Sequence, residues 1–272
     1  MLKYFWLVLV LLGMVVVGLW WGIKNSQWPS ILFTPSSVSP ATVVPLPEEG
    51  KQPYALTLEK LQPIQVDSKS YRFAWVKIDD LQRLQLYPNF TNKKAAKNLM
   101  ENNRCRFLVN GGFYDKDFHP LGWFYNEGQV LSLPQTNRLL NGFLSLNATQ
   151  EVLITDLPPQ GMVKWGLQSG PLLIMEGQKL TLKIRDDEYK RRMIGAINQN
   201  GELFFLSITD DTSLNSGPLL ANLPGLVAAI SHAIDEKFTS ALNLDGGSAS
   251  AFLTDKIQIE ETSIIGSFFC EQ

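Results

Sequence analysis

Two short stretches of the sequence place residues able to do chemistry beside residues that let backbone approach a ligand. The run Arg106-Phe107-Leu108-Val109 ends in Asn110-Gly111-Gly112-Phe113-Tyr114, and Ala241-Leu242-Asn243-Leu244 ends in Asp245-Gly246-Gly247-Ser248. Each is an apolar strand pattern followed by a short polar side chain and two glycines. Tight turns by themselves account for Asn-Gly and Asp-Gly. The chemical alternative is a concave nest of amide donors for phosphate or another anion, with a carboxamide and a carboxylate at its edge. Two further stretches stand out. Leu167-Gln168-Ser169-Gly170-Pro171 puts a polar-glycine break before an apolar run, and Lys190-Arg191-Arg192 leads into Met193-Ile194-Gly195. The arginine fork matches two phosphate oxygens, as a phosphodiester site requires, whereas a solvated strand end is the plain reading of the same basic run.

The elements that must position these residues are mostly strands. Apolar or alternating runs cover residues 71–78, 83–87, 106–109, 143–146, 152–155, 172–175, 193–197, 203–208, 241–244 and 251–253. Asn198-Gln199-Asn200-Gly201 predicts a hairpin between two of them. A polar helix is expected over Lys93 to Asn102, capped by Asn92. A second starts at Pro224, with Leu226, Ile230, Ile234 and Phe238 forming one stripe. Helices between groups of strands, without regular βα alternation, predict an α+β domain with a mixed, mostly antiparallel sheet and packed helices.

The chain has 272 residues. From Tyr4 to Ile23 no residue is charged and none is proline, long enough for a helix to cross a hydrocarbon core of roughly 30 Å. Four of the seven tryptophans (Trp6, Trp20, Trp21, Trp28) lie near the ends of that run, where interfacial rings collect, unlike in a buried core helix; the run is also too long for a signal core and lacks a small-x-small site near its end, which favours an uncleaved anchor over a signal peptide. Six prolines between Pro29 and Pro53 describe an extended stalk. The expected organisation is a transmembrane anchor at 1–24, a Pro-rich linker at 25–53 and a globular domain at 54–272. The protein would then be single-pass, with the domain outside the cytoplasm. Beyond residue 53 the chain holds 21 basic and 24 acidic residues, a balance that argues against nucleic acid as a partner.

Taken in order, Asn110 to Tyr114, Ser169-Gly170-Pro171, Arg191 to Gly195 and Leu244 to Ser248 resemble the motifs of the phosphodiester glycosidase family. The resemblance spans roughly residues 70–255. It implies an α+β fold, hydrolysis of a sugar 1-phosphodiester in a glycan or glycoconjugate, and a pocket lined by Asn110, Gly111, Gly112, Ser169, Gly170, Arg191, Asp245, Gly246 and Gly247. Arg192 and Ser248, next to these, are counted with the substrate-binding residues, and the register of Arg191 against Arg192 is open by one position. A His-Asp pair of the animal member is replaced here by Ala196-Ile197.

In the resulting scheme Asp245 is the nucleophile or base toward the anomeric carbon. Arg191 and the glycine nests hold the phosphate, and Asn110 binds sugar hydroxyls or orients Asp245. Asp115, Glu127 and Asp210 are the second-carboxylate candidates. Ser248 lacks the final glycine of a nucleophile elbow. His232 falls opposite its helix's apolar stripe, whereas His119 is a candidate base. No cofactor is implied and no metal-ligand spacing is present, although Asp210-Asp211 could be either a turn or part of an oxygen-ligated divalent-cation site. Cys105 and Cys270 could pair or stay free. A non-catalytic, membrane-tethered module binding a glycan or phosphopolymer is the rival from another class.

Overall fold

The computed structural model describes residues 58–272. The anchor expected at 1–24, the linker at 25–53 and bilayer contact through residues 4–23 all lie outside the described residues. Among those described, no helix is long and apolar enough to cross a membrane.

Among the described residues, seventeen strands form three sheets. The largest has the order β1 (Gln62–Val66), β2 (Lys69–Lys77), β13 (Leu203–Asp210), β12 (Arg192–Asn198), β14 (Phe238–Asn243), β10 (Leu172–Met175), β11 (Gln178–Lys179). A second runs β16 (Gln258–Ile259), β15 (Phe252–Leu253), β4 (Phe107–Asn110), β17 (Ser267–Glu271), β3 (Leu84–Pro88). The third runs β6 (Gln129–Ser132), β5 (Phe124–Asn126), β9 (Val163–Ser169), β7 (Gly142–Asn147), β8 (Val152–Thr155). The expected, mostly antiparallel pairing is borne out, in more than one sheet. The strands divide into three sheets, and every pairing among the described residues is antiparallel. Among the described residues helix is scarce, the α-helices being α1 (Ala96–Asn103) and α2 (Leu223–Ala233).

Burial explains why the central strands read as unbroken apolar runs. Helix α2 lays Leu226, Val227 and Ile230 on one face of the large sheet, against Phe73, Ile194 and Phe204. The other face joins the main core, where Met193, Phe205 and Leu242 meet Phe107 and Phe252 of the second sheet and Leu144 and Trp165 of the third. With both faces covered, all seven residues of β12 are buried. Since β4 and β14 both belong to layers packed on this core, the ends that carry Asn110 and Asp245 emerge side by side.

Both helix ends differ from expectation. Asn92 is not a cap: α1 begins at Ala96, whose N–H donates to the Glu261 carboxylate at 2.7 Å, a partner 165 residues away. Helix α2 stops at Ala233 because the chain turns at Asp235, where φ is +56°. Phe238 therefore opens β14 instead of extending the helical stripe. The hairpin at Asn198 to Gly201 joins β12 to β13, with Gly201 at φ +78°.

Cys105 and Cys270 form a disulfide that ties the C-terminal strand to the segment entering β4. The bridge spans 165 residues. On the chain-entropy account, a loop of that size stabilises the fold by roughly 5 kcal/mol.

Candidate active site

The two glycine-bearing strand ends are bonded to each other. Asn110 Nδ2 donates to the Asp245 carbonyl at 2.7 Å, and the Asp245 N–H donates to the Gly111 carbonyl at 3.1 Å. Asn110 Oδ1 accepts from the Ala251 N–H at 2.9 Å. The carboxamide is therefore a buried clasp between β4 and the segment that follows β14.

The glycines serve the same junction. A Cβ on Gly111 would sit 2.4 Å from Ser267 Oγ, so only glycine lets β4 lie this close to β17. Its N–H donates to the Ser267 carbonyl and that of Gly247 to the Arg191 carbonyl. Gly247 takes φ +68°, which glycine adopts without strain. With those two amides spent on carbonyls, the expected pair of anion-binding nests is not built. Gly112 packs on the Gln168 carbonyl, and Gly246 reaches the cleft described next.

A cleft of about 340 Å³ opens above Asp245. Its walls are Phe113, Leu121, Leu139, Leu140, Pro171 and Leu220, and its polar lining is Asn137, Lys190, Arg192, Asn243 and Asp245. Among the described residues, Asp245 is the only carboxylate in that lining. Part of its side chain is open to the cleft, while protein packs round the rest. Burial pushes its carboxyl up to about 8, against the downward pull of the Gly246 N–H and the Lys190 charge. Tyr114 feels the same carboxylate: burial first and Asp245 second raise its hydroxyl above the ordinary tyrosine value.

Residues 190–192 split into different roles. Arg191 is 2% exposed and absent from the cleft lining. Its Nε donates to Ser250 Oγ at 2.7 Å, Nη1 to the Leu214 carbonyl at 3.1 Å, and Nη2 to the Ser250 and Glu260 carbonyls at 2.6 and 3.0 Å. The expectation that Arg191 faces a phosphate is corrected, because its donors are spent on the fold. Arg192 lines the cleft instead, held by the Pro218 and Glu188 carbonyls and by Asp187 Oδ1 at 3.5 Å. Burial lowers its guanidinium from the ordinary arginine value, with Asp187 opposing. Lys190, half-exposed and paired with Glu188, completes a two-cation edge.

By sequence, the phosphodiester glycosidase family matches residues 103–266, more than half of the chain. The chain belongs to the phosphodiester glycosidase family. No curated protein matches it by sequence. Its fold is similar to the catalytic domain of zebrafish N-acetylglucosamine-1-phosphodiester alpha-N-acetylglucosaminidase, auto-inhibited by its pro-peptide. That likeness has a TM-score of 0.60 at 13% identity, over 78% of this chain and 81% of that one. A hypothetical protein from Synechocystis gives a TM-score of 0.57 at 14% identity, over 77% of this chain and 61% of that one.

Within this phosphodiester glycosidase domain the other sequence candidates separate clearly. Gly170 lines the cleft, whereas Ser169 is buried behind it and donates its hydroxyl to the Asn243 carbonyl at 2.8 Å. Ser248 is exposed outside the cleft lining, and its carbonyl accepts from Thr262 and Ser263. His119 borders a different groove, paired with Asp115 at 3.4 Å, and His232 is exposed on α2. Neither lies in the cleft lining with Asp245.

Asp115 accepts from the Asp117 and His119 N–H groups, and Asp210 accepts from Thr212, so both organise turns. Glu127 sits at φ +48° in the turn between β5 and β6. Asp211 pairs with Arg72 at 3.0 Å. Among the described residues no three His, Cys, Asp or Glu side chains group closely enough to hold a metal. Ala196 and Ile197, where the animal member carries His-Asp, are core residues of β12.

Asn243 is the site residue that sequence reasoning passed over. It is 2% exposed, lines the cleft, and donates its Nδ2 to the Gly170 carbonyl at 2.9 Å, while its buried Oδ1 has no protein donor. An unmet buried acceptor costs about 1–3 kcal/mol. The available signal was period-two alternation: Asn243 and Asp245 are two apart, flanking the core residue Leu244.

Proposed function

We propose that the protein hydrolyses a sugar 1-phosphodiester, with Asp245 as the base. The carrying observation is a single carboxyl, raised to about 8, in a cleft whose other charges are Lys190 and Arg192. The cations take the phosphate. Asp245, ionised, accepts a proton from a water; the water oxygen bonds to the anomeric carbon, and the bond from that carbon to the phosphate oxygen breaks. A phosphate monoester departs as an anion, stabilised by the two cations. Such a leaving group needs no proton, which suits a site with one carboxylate where most glycosidases use two. Raising the carboxyl makes it a stronger base than a solvated aspartate. Gly170 and Asn243 contact the sugar side, and the buried Asn110 holds the Asp245 backbone in place.

The same proposal keeps the chain anchored through residues 4–23 with the domain outside the cytoplasm. The Cys105–Cys270 bridge supports an oxidising compartment. The zebrafish enzyme's named substrate, an N-acetylglucosamine 1-phosphodiester, is the first compound to try. The test incubates the full chain with a panel of sugar 1-phosphodiesters and follows reducing sugar. Release that disappears in Asp245→Asn is expected. Binding without release from any member would establish the non-catalytic module instead.

A further inference from the structure

A second groove, of about 430 Å³, has no part in the proposed hydrolysis. Pro88, Phe90, Phe118, Pro120 and Leu131 supply its apolar lining; Thr91, Asn92, Asp117 and His119 supply the rest. Two segments of the chain each line both cavities. The hairpin of residues 113–121, closed by the Leu121 N–H on the Phe113 carbonyl, gives Phe113 and Leu121 to the cleft and Phe118 and Pro120 to the groove. The segment from β6 onward gives Leu131 to the groove and Leu139 and Leu140 to the cleft.

That second segment is unusual in its surface. Seven large apolar side chains stand exposed among the described residues, and four of them fall within ten positions: Val130, Leu131, Leu133 and Leu139, the third at 72%. Such a concentration on an edge strand and the loop after it marks a contact surface. The loop is not loose. Gln168 Nε2 donates to the Gln135 and Leu140 carbonyls at 2.7 and 2.6 Å, and its Oε1 accepts from the Gln135 N–H at 2.9 Å. The loop backbone is therefore braced at Gln135 and Leu140, close to the exposed Leu133 and Leu139.

We infer that the phosphate's second ester is to a long apolar alcohol, whose chain leaves the cleft past Leu139 and lies along the Leu131–Phe90 groove. This rests on the hydrolase reading and names its aglycone. A second sugar fits the groove less well, since the Phe118 ring it would stack on is already stacked on Tyr114 at 4.8 Å and capped by the Lys93 ammonium at 4.1 Å. A chain tethered at residues 4–23 would meet a lipid-linked substrate at the bilayer surface.

The test uses the full chain in a fixed neutral detergent, with methyl, butyl and octyl esters of one sugar 1-phosphate. Each buried methylene favours the longer ester by about fourfold, so kcat/KM for octyl over methyl should exceed roughly tenfold even with partial burial. In Leu131→Asp/Leu133→Asp, two exposed positions whose replacement costs the fold little, that ratio should fall toward one. A ratio of one in the wild type overturns the apolar aglycone while leaving the hydrolase standing. A ratio untouched by the double variant overturns the groove as the chain's location. Hydrolysis of none of the esters overturns the hydrolase reading and this inference together.

Discussion

The strand ends at residues 110–112 and 245–247 are near copies in sequence and opposites in use. Asn110 is 1% exposed and spends its carboxamide on the Asp245 carbonyl and the Ala251 N–H, whereas Asp245 turns its carboxyl into the cleft. A strand, a short polar side chain and two glycines specify a close junction of two chain segments. Which side chain faces a ligand is decided by the neighbouring layer.

Substitution at the two ends should give different kinds of failure. Asp245→Asn is expected to fold and lose activity by about 10²–10⁴-fold in kcat/KM, the usual worth of a positioned base. Asn110→Ala strands a buried N–H and a buried carbonyl and should lower stability by about 2–3 kcal/mol in a denaturant titration. Catalytic loss without destabilisation at Asn110 would erase the contrast.

The two arginines divide the same way. Arg191→Gln removes the guanidinium bonds to the Leu214, Ser250 and Glu260 carbonyls and should cost about 3 kcal/mol or more. Arg192→Gln should act on substrate, raising KM about tenfold, with Arg192→Lys restoring part of the loss. A KM effect at Arg191 and none at Arg192 would reverse the assignment. Of similar size is the effect at Asn243, where Asn243→Ala should lower kcat/KM by about tenfold if Oδ1 meets a substrate donor.

The layout of strands was legible wherever burial wrote an apolar or alternating run, as in β10 and β8, whose bounds agree with the pattern. Strands held by tertiary partners were not. In β9, Gly166 stands where a Cβ would meet the Trp123 ring at 2.5 Å, and β17 buries Glu271, which Arg106 reaches at 2.8 Å. Neither glycine nor glutamate reads as strand interior by itself. In the site, Asp245 was readable because its carboxylate follows an apolar run. The exchange of Arg191 for Arg192 was not, since adjacent strand residues face opposite sides and only the packed layers decide which side is the cleft.

The same contrast has a pH signature. With its carboxyl raised to about 8 from an ordinary value near 3.8, Asp245 binds a proton more tightly in the folded chain than in the unfolded one. The stabilisation this gives is fully present below about pH 4 and is lost as pH rises through about 8. Asparagine has the shape of the neutral acid and never ionises. Asp245→Asn should therefore match the wild type in thermal midpoint near pH 4 and exceed it by a growing margin toward pH 8, at about 2–4 °C for each kcal/mol in a domain of this size. Activity should run the other way, because a base must be ionised: wild-type kcat/KM is expected to climb with pH and level off above about 8. A midpoint difference that stays flat across that window would show an ordinary, solvated Asp245, and the separation between a structural and a chemical strand end would then rest on Asn110 alone.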